Sequence, residues 1–399
     1  MAMSINTNVV SINAQRNLSL SGGSLATSMQ RLSSGLRVNS AKDDAAGLAI
    51  AERMSTQVRG LAVASRNAND GISLAQTAEG ALGKVGDMLQ RMRELAVQAG
   101  NATNSKGDRE ALNAELVQLR DEVDRVAKTT SFNGKKVLDG SFTGGVFQVG
   151  ANSGDNITVG ALANTKVDQL GKTEFGTGSV TGITEGSKTD AASNMTNVDV
   201  TIVITGANQV SAQVTIAKDA DVTGDEALGR VVQAINSKTA DTGIVAFLAE
   251  DGKSIQYRAE KNADGVLASA TMAVSGTAAG VTALLANPTT ANADQTGIHK
   301  MDIKTQAGAW ESLQRIDSAL DKVSSARAEL GAIQTRFEKS IENIDIQQEN
   351  ISAARGRITD ADFAQETANL SRTQILQQAG TAMVAQANQL PQQVLQLLQ

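Results

Sequence analysis

The chain has 399 residues, enough for about two to four domains, yet aromatic residues make up only 2% of it. Its core must therefore come from Ala, Val, Ile and Leu, which favours helix-on-helix packing. A formal net charge of −6 and a pI near 5.1 exclude a general basic surface for nucleic acid. Cysteine is absent, which excludes disulfides, thiolate nucleophiles and Cys-ligated metals.

Residues 5–36 carry apolar residues at helical spacing, among them Ile5, Val9 and Ile12. They predict a helix that Gly22-Gly23 interrupts. The N-terminus lacks the basic start and apolar core of a cleaved signal peptide, and no apolar run reaches the roughly 18 residues that cross a bilayer. We expect a protein that stays inside the cell or leaves it without signal-peptide cleavage.

The clearest pattern is an apolar seam with 3–4 spacing over about five heptads, which predicts a long coiled-coil helix. Its members are Leu61, Ala64, Ala68, Gly71, Ala75, Ala78, Leu82, Val85, Leu89, Met92 and Ala96. Met54 and Ile50 keep the register farther back, although Gln57 interrupts it. A polar break at 100–105 precedes a second heptad helix that includes Leu116 and Val123. A third stripe, from Leu313 to Ile351, supplies another partner, so these segments predict a three-helix bundle.

The middle of the chain carries strand patterns in place of helical heptads. Residues 146–150 and 156–160 predict a β-hairpin, and 198–205 and 209–216 predict two further strands. Thr223 and Glu226 form a capping-box pattern before a helix, and strands at 244–249 and 254–259 flank the turn Asp251-Gly252. We predict a small ββαββ domain, followed by a low-complexity linker over 263–298.

The C-terminal segment carries a second sparse apolar stripe in a Gln-rich, uncharged setting. Its members are Leu376, Met383, Leu390, Val394, Leu395, Leu397 and Leu398. Pro391 is expected to kink this helix or to begin a new turn. Because so few large side chains offset the entropy of ordering these segments, we expect both termini to order only when many copies pack together.

Catalytic chemistry is not evident in the sequence. The single histidine, His299, lies in a predicted linker and is expected to be solvated. Acidic clusters at Lys42-Asp43-Asp44 and Asp360-Ala-Asp362 favour helix-start and turn contacts over a cation site. We expect no enzyme activity, no cofactor and no metal.

Specific strings at both ends resemble bacterial flagellin. They are Asn6-Thr-Asn8, Asn13-Ala-Gln-Arg-Asn-Leu18, Arg31-Leu-Ser-Ser-Gly-Leu-Arg37, Asn39-Ser-Ala-Lys-Asp-Asp-Ala-Ala-Gly-Leu48, Arg66-Asn-Ala-Asn-Asp-Gly-Ile-Ser73, Gln90-Arg-Met-Arg-Glu-Leu-Ala-Val97, Thr130-Ser-Phe-Asn-Gly134, Ala353-Ala-Arg-Gly-Arg-Ile-Thr-Asp-Ala-Asp-Phe363, Gln377-Gln-Ala-Gly380, Ala385-Gln-Ala-Asn-Gln-Leu-Pro391 and Val394-Leu-Gln-Leu-Leu398. The resemblance covers about residues 1–160 and 305–399. The insert at 197–260 is similar to a module of flagellin hypervariable regions.

The resemblance implies a mainly α fold with an α+β insert. Residues 1–40 and 357–399 would form the inner coiled-coil domain of a filament, and 41–175 and 300–356 a helical bundle with a β-hairpin. Residues 176–299 would form the variable outer domain, an outward-projecting ββαββ-like insert. The polymer core would use Ile5, Val9, Ile12, Leu376, Met383, Leu390, Val394, Leu395, Leu397 and Leu398.

The resemblance also implies function and partners. The chain would polymerise into the extracellular flagellar filament for swimming, after export through a type III pathway. Partners would be further copies of itself, an export chaperone at the C-terminal helix, the filament cap and hook-associated proteins, and host innate immune receptors. The epitope for the surface Toll-like receptor would match Gln90, Arg91, Leu95 and Glu115, whose heptad positions predict exposure.

Two other classes fit the helical arms. A hook–filament junction protein shares the terminal heptads, although it is not expected to keep so many filament strings in both arms. A secreted coiled-coil adhesin has no need of matching strings at both extreme ends.

Overall fold

The computed structural model describes residues 8–173, 175–180, 200–205, 211–217, 219, 223–249, 252, 254–260, 271–275 and 297–397. Its helices are α1 (Val9–Ser34), α2 (Ala45–Ala99), α3 (Lys106–Thr129), α4 (Gly224–Asn236), α5 (Thr239–Thr242), α6 (Gln306–Thr359) and α7 (Phe363–Leu397), with a 3-10 turn at Ile298–Lys300. Its strands are β1 (Ser131–Phe132), β2 (Lys135–Lys136), β3 (Gly145–Gln148), β4 (Asn156–Val159), β5 (Phe175–Val180), β6 (Val200–Thr205), β7 (Ser211–Ile216), β8 (Ile244–Leu248), β9 (Ile255–Glu260) and β10 (Thr271–Ser275). The predicted fold class, mainly helical with an α+β insert, is confirmed.

The chain divides into two compact units. The first comprises Met1–Gly71, Phe147–Ile157 and Arg336–Gln399, and the second comprises Ile72–Val146 and Thr158–Thr335. Two helices, α2 and α6, contribute to both units. The predicted three-domain division therefore stays a prediction.

The predicted seam forms the core of α2. Every seam residue from Leu61 to Ala96 is buried, and small residues at its centre let neighbouring helices approach closely. The backward extension is wrong at Ile50, which is exposed. In the second unit the core also takes Leu116 and Val123 of α3 and Val323 of α6.

In the first unit, α1 and α7 pair along their length, and their contacts run antiparallel. Ser11 bonds Asn388 near one end, and Arg31 lies 3.9 Å from Glu366 near the other. The predicted interruption at Gly22-Gly23 is wrong, since α1 runs through both glycines. The glycines cost helix propensity, and a Cβ at either one would meet no atom within 4 Å, so the pairing with α7, not the saved space, can hold the helix intact.

The insert confirms the order ββαββ and adds two strands that the sequence pattern missed. Strands β10, β6 and β7 form one antiparallel sheet, and β5, β9 and β8 form another. Thr223 caps the start of helix α4, and its hydroxyl accepts the Glu226 N–H at 3.3 Å. The Glu226 carboxylate accepts from Arg230 at 3.0 Å, so the cap of α4 is formed by the Thr223 hydroxyl.

The missed strands have weak sequence signals. Strand β5 contains two glycines, and β10 falls in the predicted linker. Each becomes a strand by pairing with a neighbour that has a stronger pattern, β9 and β6 respectively. Most of the predicted linker and Asp251 lie outside the described residues, as do 198–199 and 209–210 of the predicted strands.

Candidate functional site

Two surfaces carry the functional residues that the sequence predicts. The first, the epitope surface, consists of Gln90, Arg91 and Glu115 on the facing sides of α2 and α3. All three are exposed. Arg91 donates from Nε and Nη2 to Glu115 Oε1 at 3.0 and 2.9 Å, and from Nη1 to Glu94 Oε2 at 2.9 Å. These carboxylates, Glu94 first and then Glu115, raise the pKa of Arg91 above its ordinary value.

The turn between α2 and α3 fixes where Glu115 faces Arg91. Ser105 caps α3: its hydroxyl accepts the Asp108 N–H at 3.2 Å, while Asp108 Oδ2 accepts from the Ser105 N–H at 3.0 Å. Arg109 then donates to the carbonyls of Ala99 at 3.0 Å and Asn101 at 3.1 Å, which terminates α2. The Ser105 cap and the Arg109 bonds to the end of α2 together set the register of α3 on α2.

Leu95 departs from the expectation of exposure, because its side chain is only 1% exposed. If α2 packed against one partner helix through the predicted 3–4 seam alone, residue 95 would lie beside that contact and not in it. However, Leu95 lies three residues after Met92 and four before Ala99, both of which are fully buried, so the apolar stripe here is wider than one seam. Helix α2 has partners on two sides in this region, α3 through Arg91–Glu115 and α6 through Arg93–Asp317 at 2.7 Å.

The second surface, the terminal hairpin, is formed by α1 and α7. Several of its outward residues are large and apolar: Val9 is 59% exposed, Ile12 49%, Leu376 50% and Met383 61%. Val10, Leu20, Met29 and Ile375 are exposed as well. Leu390, Val394, Leu395 and Leu397 lie in α7 with side chains outside the described set, and Ile5 and Leu398 lie outside the described residues.

Polar side chains lie in the contact between the two terminal helices. Ser11 is buried and donates to Asn388 Oδ1 at 2.7 Å, and Asn8 Nδ2 donates to the Ala387 carbonyl at 2.7 Å. Glu366 is also buried, beside Arg31. The terminal hairpin thus buries polar side chains in its helix contact while it leaves several large apolar side chains exposed.

Helix α7 also departs from expectation at Pro391, since the helix continues through it to Leu397. A proline inside a helix removes one N–H donor and leaves the carbonyl four residues earlier without its usual partner. That carbonyl belongs to Ala387, and Asn8 supplies the missing donor. The predicted new turn is therefore wrong, and the predicted kink stays a prediction.

His299 differs from the predicted solvated linker residue. It lies half-buried in the 3-10 turn, its backbone N–H bonds the Val167 carbonyl at 3.1 Å, and its carbonyl accepts from Arg120 at 3.0 Å. Among the described residues, no three His, Cys, Asp or Glu side chains gather closely enough to hold a metal ion. Helices in the described part of the chain also lack the combined length and apolarity needed to cross a membrane.

The chain matches two regions of one protein family. Residues 5–143 match the bacterial flagellin N-terminal helical region, and residues 313–398 match the bacterial flagellin C-terminal helical region. Flagellin A of Vibrio cholerae is 43% identical over 409 residues, and B-type flagellin of Pseudomonas aeruginosa is 37% identical over 507, each covering 100% of both chains. The solved structure of FliC from Burkholderia pseudomallei is 26% identical, with a TM-score of 0.40 over 67% of this chain and 99% of that one.

The matched regions contain both surfaces described above, the epitope surface in the first and the C-terminal half of the terminal hairpin in the second. Both terminal regions match this family, and a flagellin that is 43% identical covers the full length. The chain therefore belongs to the bacterial flagellin family, the structural subunits of the flagellar filament.

Proposed function

We propose that the chain polymerises through the exposed apolar residues of the terminal hairpin. Val9, Ile12, Leu376 and Met383 carry this proposal, because four large apolar side chains about half exposed or more on one helix pair are costly in water. Neighbouring copies would cover them in the filament. Ile5, Leu390, Val394, Leu395, Leu397 and Leu398 extend the same apolar pattern in sequence.

Coupled folding fits this arrangement. Two helices that leave large apolar side chains exposed recover only part of the available hydrophobic free energy from each other, so their ordering depends on burial against other copies. We infer that the hairpin forms stably on assembly, with residues 1–40 and 357–399 as the filament core. Residues 41–175 and 300–356 would surround that core, and residues 176–299 would face outward. Amide-exchange protection at both ends of a verified monomer would contradict this.

Electron microscopy of the purified, concentrated chain tests the assembly proposal. Long helical filaments are expected from the wild type, whereas Ile12→Asp and Met383→Asp should leave the protein monomeric because a carboxylate cannot be buried unpaired. Ile12→Leu and Met383→Leu keep the surface apolar and should still assemble. Filaments formed by both Asp variants at the wild-type yield would reject the proposal.

The epitope surface is proposed to bind the surface Toll-like receptor in the monomer. Exposed Arg91 offers donors in a planar fork, and its pairing with Glu115 holds the guanidinium in a fixed orientation. Gln90 and Glu115 are the other proposed contacts, and Leu95 would act by supporting the helix from inside. A partner's carboxylates or carbonyls could replace the intramolecular bonds of Arg91.

A receptor-binding measurement on the monomer tests this assignment. Arg91→Ala should weaken binding strongly, and filaments of the wild type should be inactive if assembly covers the surface. Lys84→Ala is the matched control, because Lys84 is an exposed cation on α2 that is paired with Asp87 at 3.5 Å. Equal binding by Arg91→Ala and the wild type would reject the assignment.

Family membership supports further proposed partners in export and capping. The C-terminal segment is uncharged and Gln-rich around Gln377, Gln378 and Gln386, a surface that a chaperone can cover without burying charge. We propose that a cytoplasmic chaperone binds α7 before type III export without a cleaved signal peptide. The cap, the hook-associated proteins and cytosolic innate sensors are proposed as further partners, and no catalytic role is proposed. Co-purification of the chaperone with the full chain, lost on deletion of 376–399, tests the first contact.

A further inference from the structure

Pro391 creates a single chemical irregularity in the C-terminal helix. Inside an α-helix each carbonyl accepts from the N–H four residues later, and proline has no N–H. Pro391 is the only proline between residues 363 and 397, so Ala387 is the one residue of α7 whose helical partner is a proline. Its carbonyl requires a donor from elsewhere.

Asn8 supplies that donor from the opposite end of the chain. Its Nδ2 lies 2.7 Å from the Ala387 carbonyl oxygen, across 379 positions of sequence. The same carboxamide caps α1, since Asn8 Oδ1 accepts the Ser11 N–H at 3.1 Å. Because only the oxygen can accept from an N–H, the cap orients the amide so that its nitrogen faces α7.

We propose that Asn8 and Pro391 together form a register pin, which fixes the antiparallel alignment of α1 on α7 in the terminal hairpin. This inference rests on the proposed assembly, because the hairpin is the element that neighbouring copies would pack against. The pin is a positioning device: Pro391 marks one carbonyl on α7, and Asn8 recognises it while starting α1.

The pin is selective because a slipped hairpin has no equivalent bond. If α7 moved by one helical turn, Asn8 would face a carbonyl that already accepts from its own helix, and the Ala387 carbonyl would lose its partner. Apolar contacts discriminate register poorly, since large and small apolar side chains exchange places at modest cost. Ser11 bonds Asn388 in the native register, one residue beyond the marked carbonyl, so the polar contacts agree on one alignment.

A disulfide reporter reads this register directly, because the chain has no cysteine of its own. A Cβ built on Gly380 lies 3.7 Å from Leu18 Cβ, close to the mean of about 3.8 Å for disulfide-linked residues. Leu18→Cys/Gly380→Cys therefore reports the native register. Leu18→Cys/Leu376→Cys and Leu18→Cys/Val384→Cys report slips of about one turn in either direction.

Reporter chains are copolymerised at low ratio with wild-type chains, so that a filament forms for every variant and disulfides between copies are rare. After mild oxidation, the intramolecular disulfide is measured per reporter chain pelleted with the filament. The native pair should cross-link well and the slipped pairs poorly. Absence of filaments would refute the proposed function, whereas filaments in which the native pair fails to cross-link would refute the hairpin register alone.

Asn8→Ser tests the pin, because serine retains the capping oxygen but has no amide donor. The ratio of native to slipped disulfide should fall about fivefold, the factor that corresponds to roughly 1 kcal/mol for one hydrogen bond. In the Pro391→Ala background, the restored N–H of residue 391 partners the Ala387 carbonyl, so Asn8→Ser should change the ratio less than twofold. An equal effect in both backgrounds, or none in either, would overturn the proposal.

Discussion

The ring of Phe337 lies directly against the backbone of Gly71. A Cβ built on Gly71 would lie 2.5 Å from Phe337 Cζ, and Phe337 is fully buried in the first unit. Phe147 of the hairpin strand β3 packs edge-to-face on the same ring, with centroids 5.4 Å apart. The glycine in the α2 seam thus makes room for an aromatic ring that is held in place from another side.

Gly71→Ala is therefore expected to destabilise the monomer despite the higher helix propensity of alanine. Overpacking a ring that cannot move costs about 1–3 kcal/mol, against about 1 kcal/mol gained in propensity. Gly80→Ala in the same helix is the control, since a Cβ there meets no atom within 4 Å, and it should stabilise by about 0.5–1 kcal/mol. Chemical denaturation gives both values, and two stabilising substitutions would contradict the packing argument.

The sequence predicted the elements whose pattern is both long and local. The seam of α2 repeats often enough to survive single errors, so every position from Leu61 to Ala96 proved buried. The expected exposure of Leu95 is wrong because the seam pattern assumes one partner helix, whereas this part of α2 contacts both α3 and α6. The new turn expected at Pro391 does not form, and the compensating donor, Asn8, is too distant in sequence for the pattern to predict it. Periodicity carries no information about such pairings.

Asp108 should make the stability of the α2–α3 turn depend on acid pH. The Ser105 hydroxyl, and then its backbone N–H, hold the pKa of Asp108 below its ordinary value of 3.8. A lowered folded-state pKa contributes stability that is complete above 3.8 and disappears as the pH falls through the folded-state pKa. Asp108→Asn should therefore unfold more easily than the wild type at pH 7 and equally easily once both side chains are uncharged. Urea denaturation across this pH range measures the difference. A constant difference at every pH would contradict the assignment.

Asn236 protects an edge of the insert from pairing with other strands. Among the strands that the structure describes, β8 is at the edge of its sheet, and the Asn236 carboxamide bonds its backbone as a neighbouring strand would. It donates to the Ala246 carbonyl at 2.9 Å and accepts the Ala246 N–H at 2.8 Å, while Thr239 Oγ1 donates to the Ile244 carbonyl at 2.9 Å. Exposed strand edges recruit other chains unless they are covered.

Asn236→Leu should uncover the edge at Ala246 and promote self-association through the insert. The lost pair of hydrogen bonds should also lower the unfolding free energy by about 1 kcal/mol. Gln233→Leu adds the same apolar side chain at another exposed position of α4 and leaves the Asn236 bonds to β8 in place, so this variant should remain unassociated. Sedimentation of the monomer, under conditions that prevent filament growth, separates the two variants. Equal association of both would mean that surface hydrophobicity, and not the strand edge, is responsible.

Leu95 and Arg91 should affect receptor binding for different reasons. Leu95→Ala removes a fully buried side chain and should cost about 2–5 kcal/mol of unfolding free energy, whereas Arg91→Ala removes only exposed, screened ion pairs and should leave unfolding unchanged. When receptor binding is measured at a temperature where both variants are folded, Arg91→Ala should lose more affinity than Leu95→Ala. Arg91→Ala should then be weak and Leu95→Ala close to the wild type, because Leu95 only supports the helix that carries Arg91. If folded Leu95→Ala binds as weakly as Arg91→Ala, Leu95 contacts the receptor itself, and α2 must then expose that side chain in the complex.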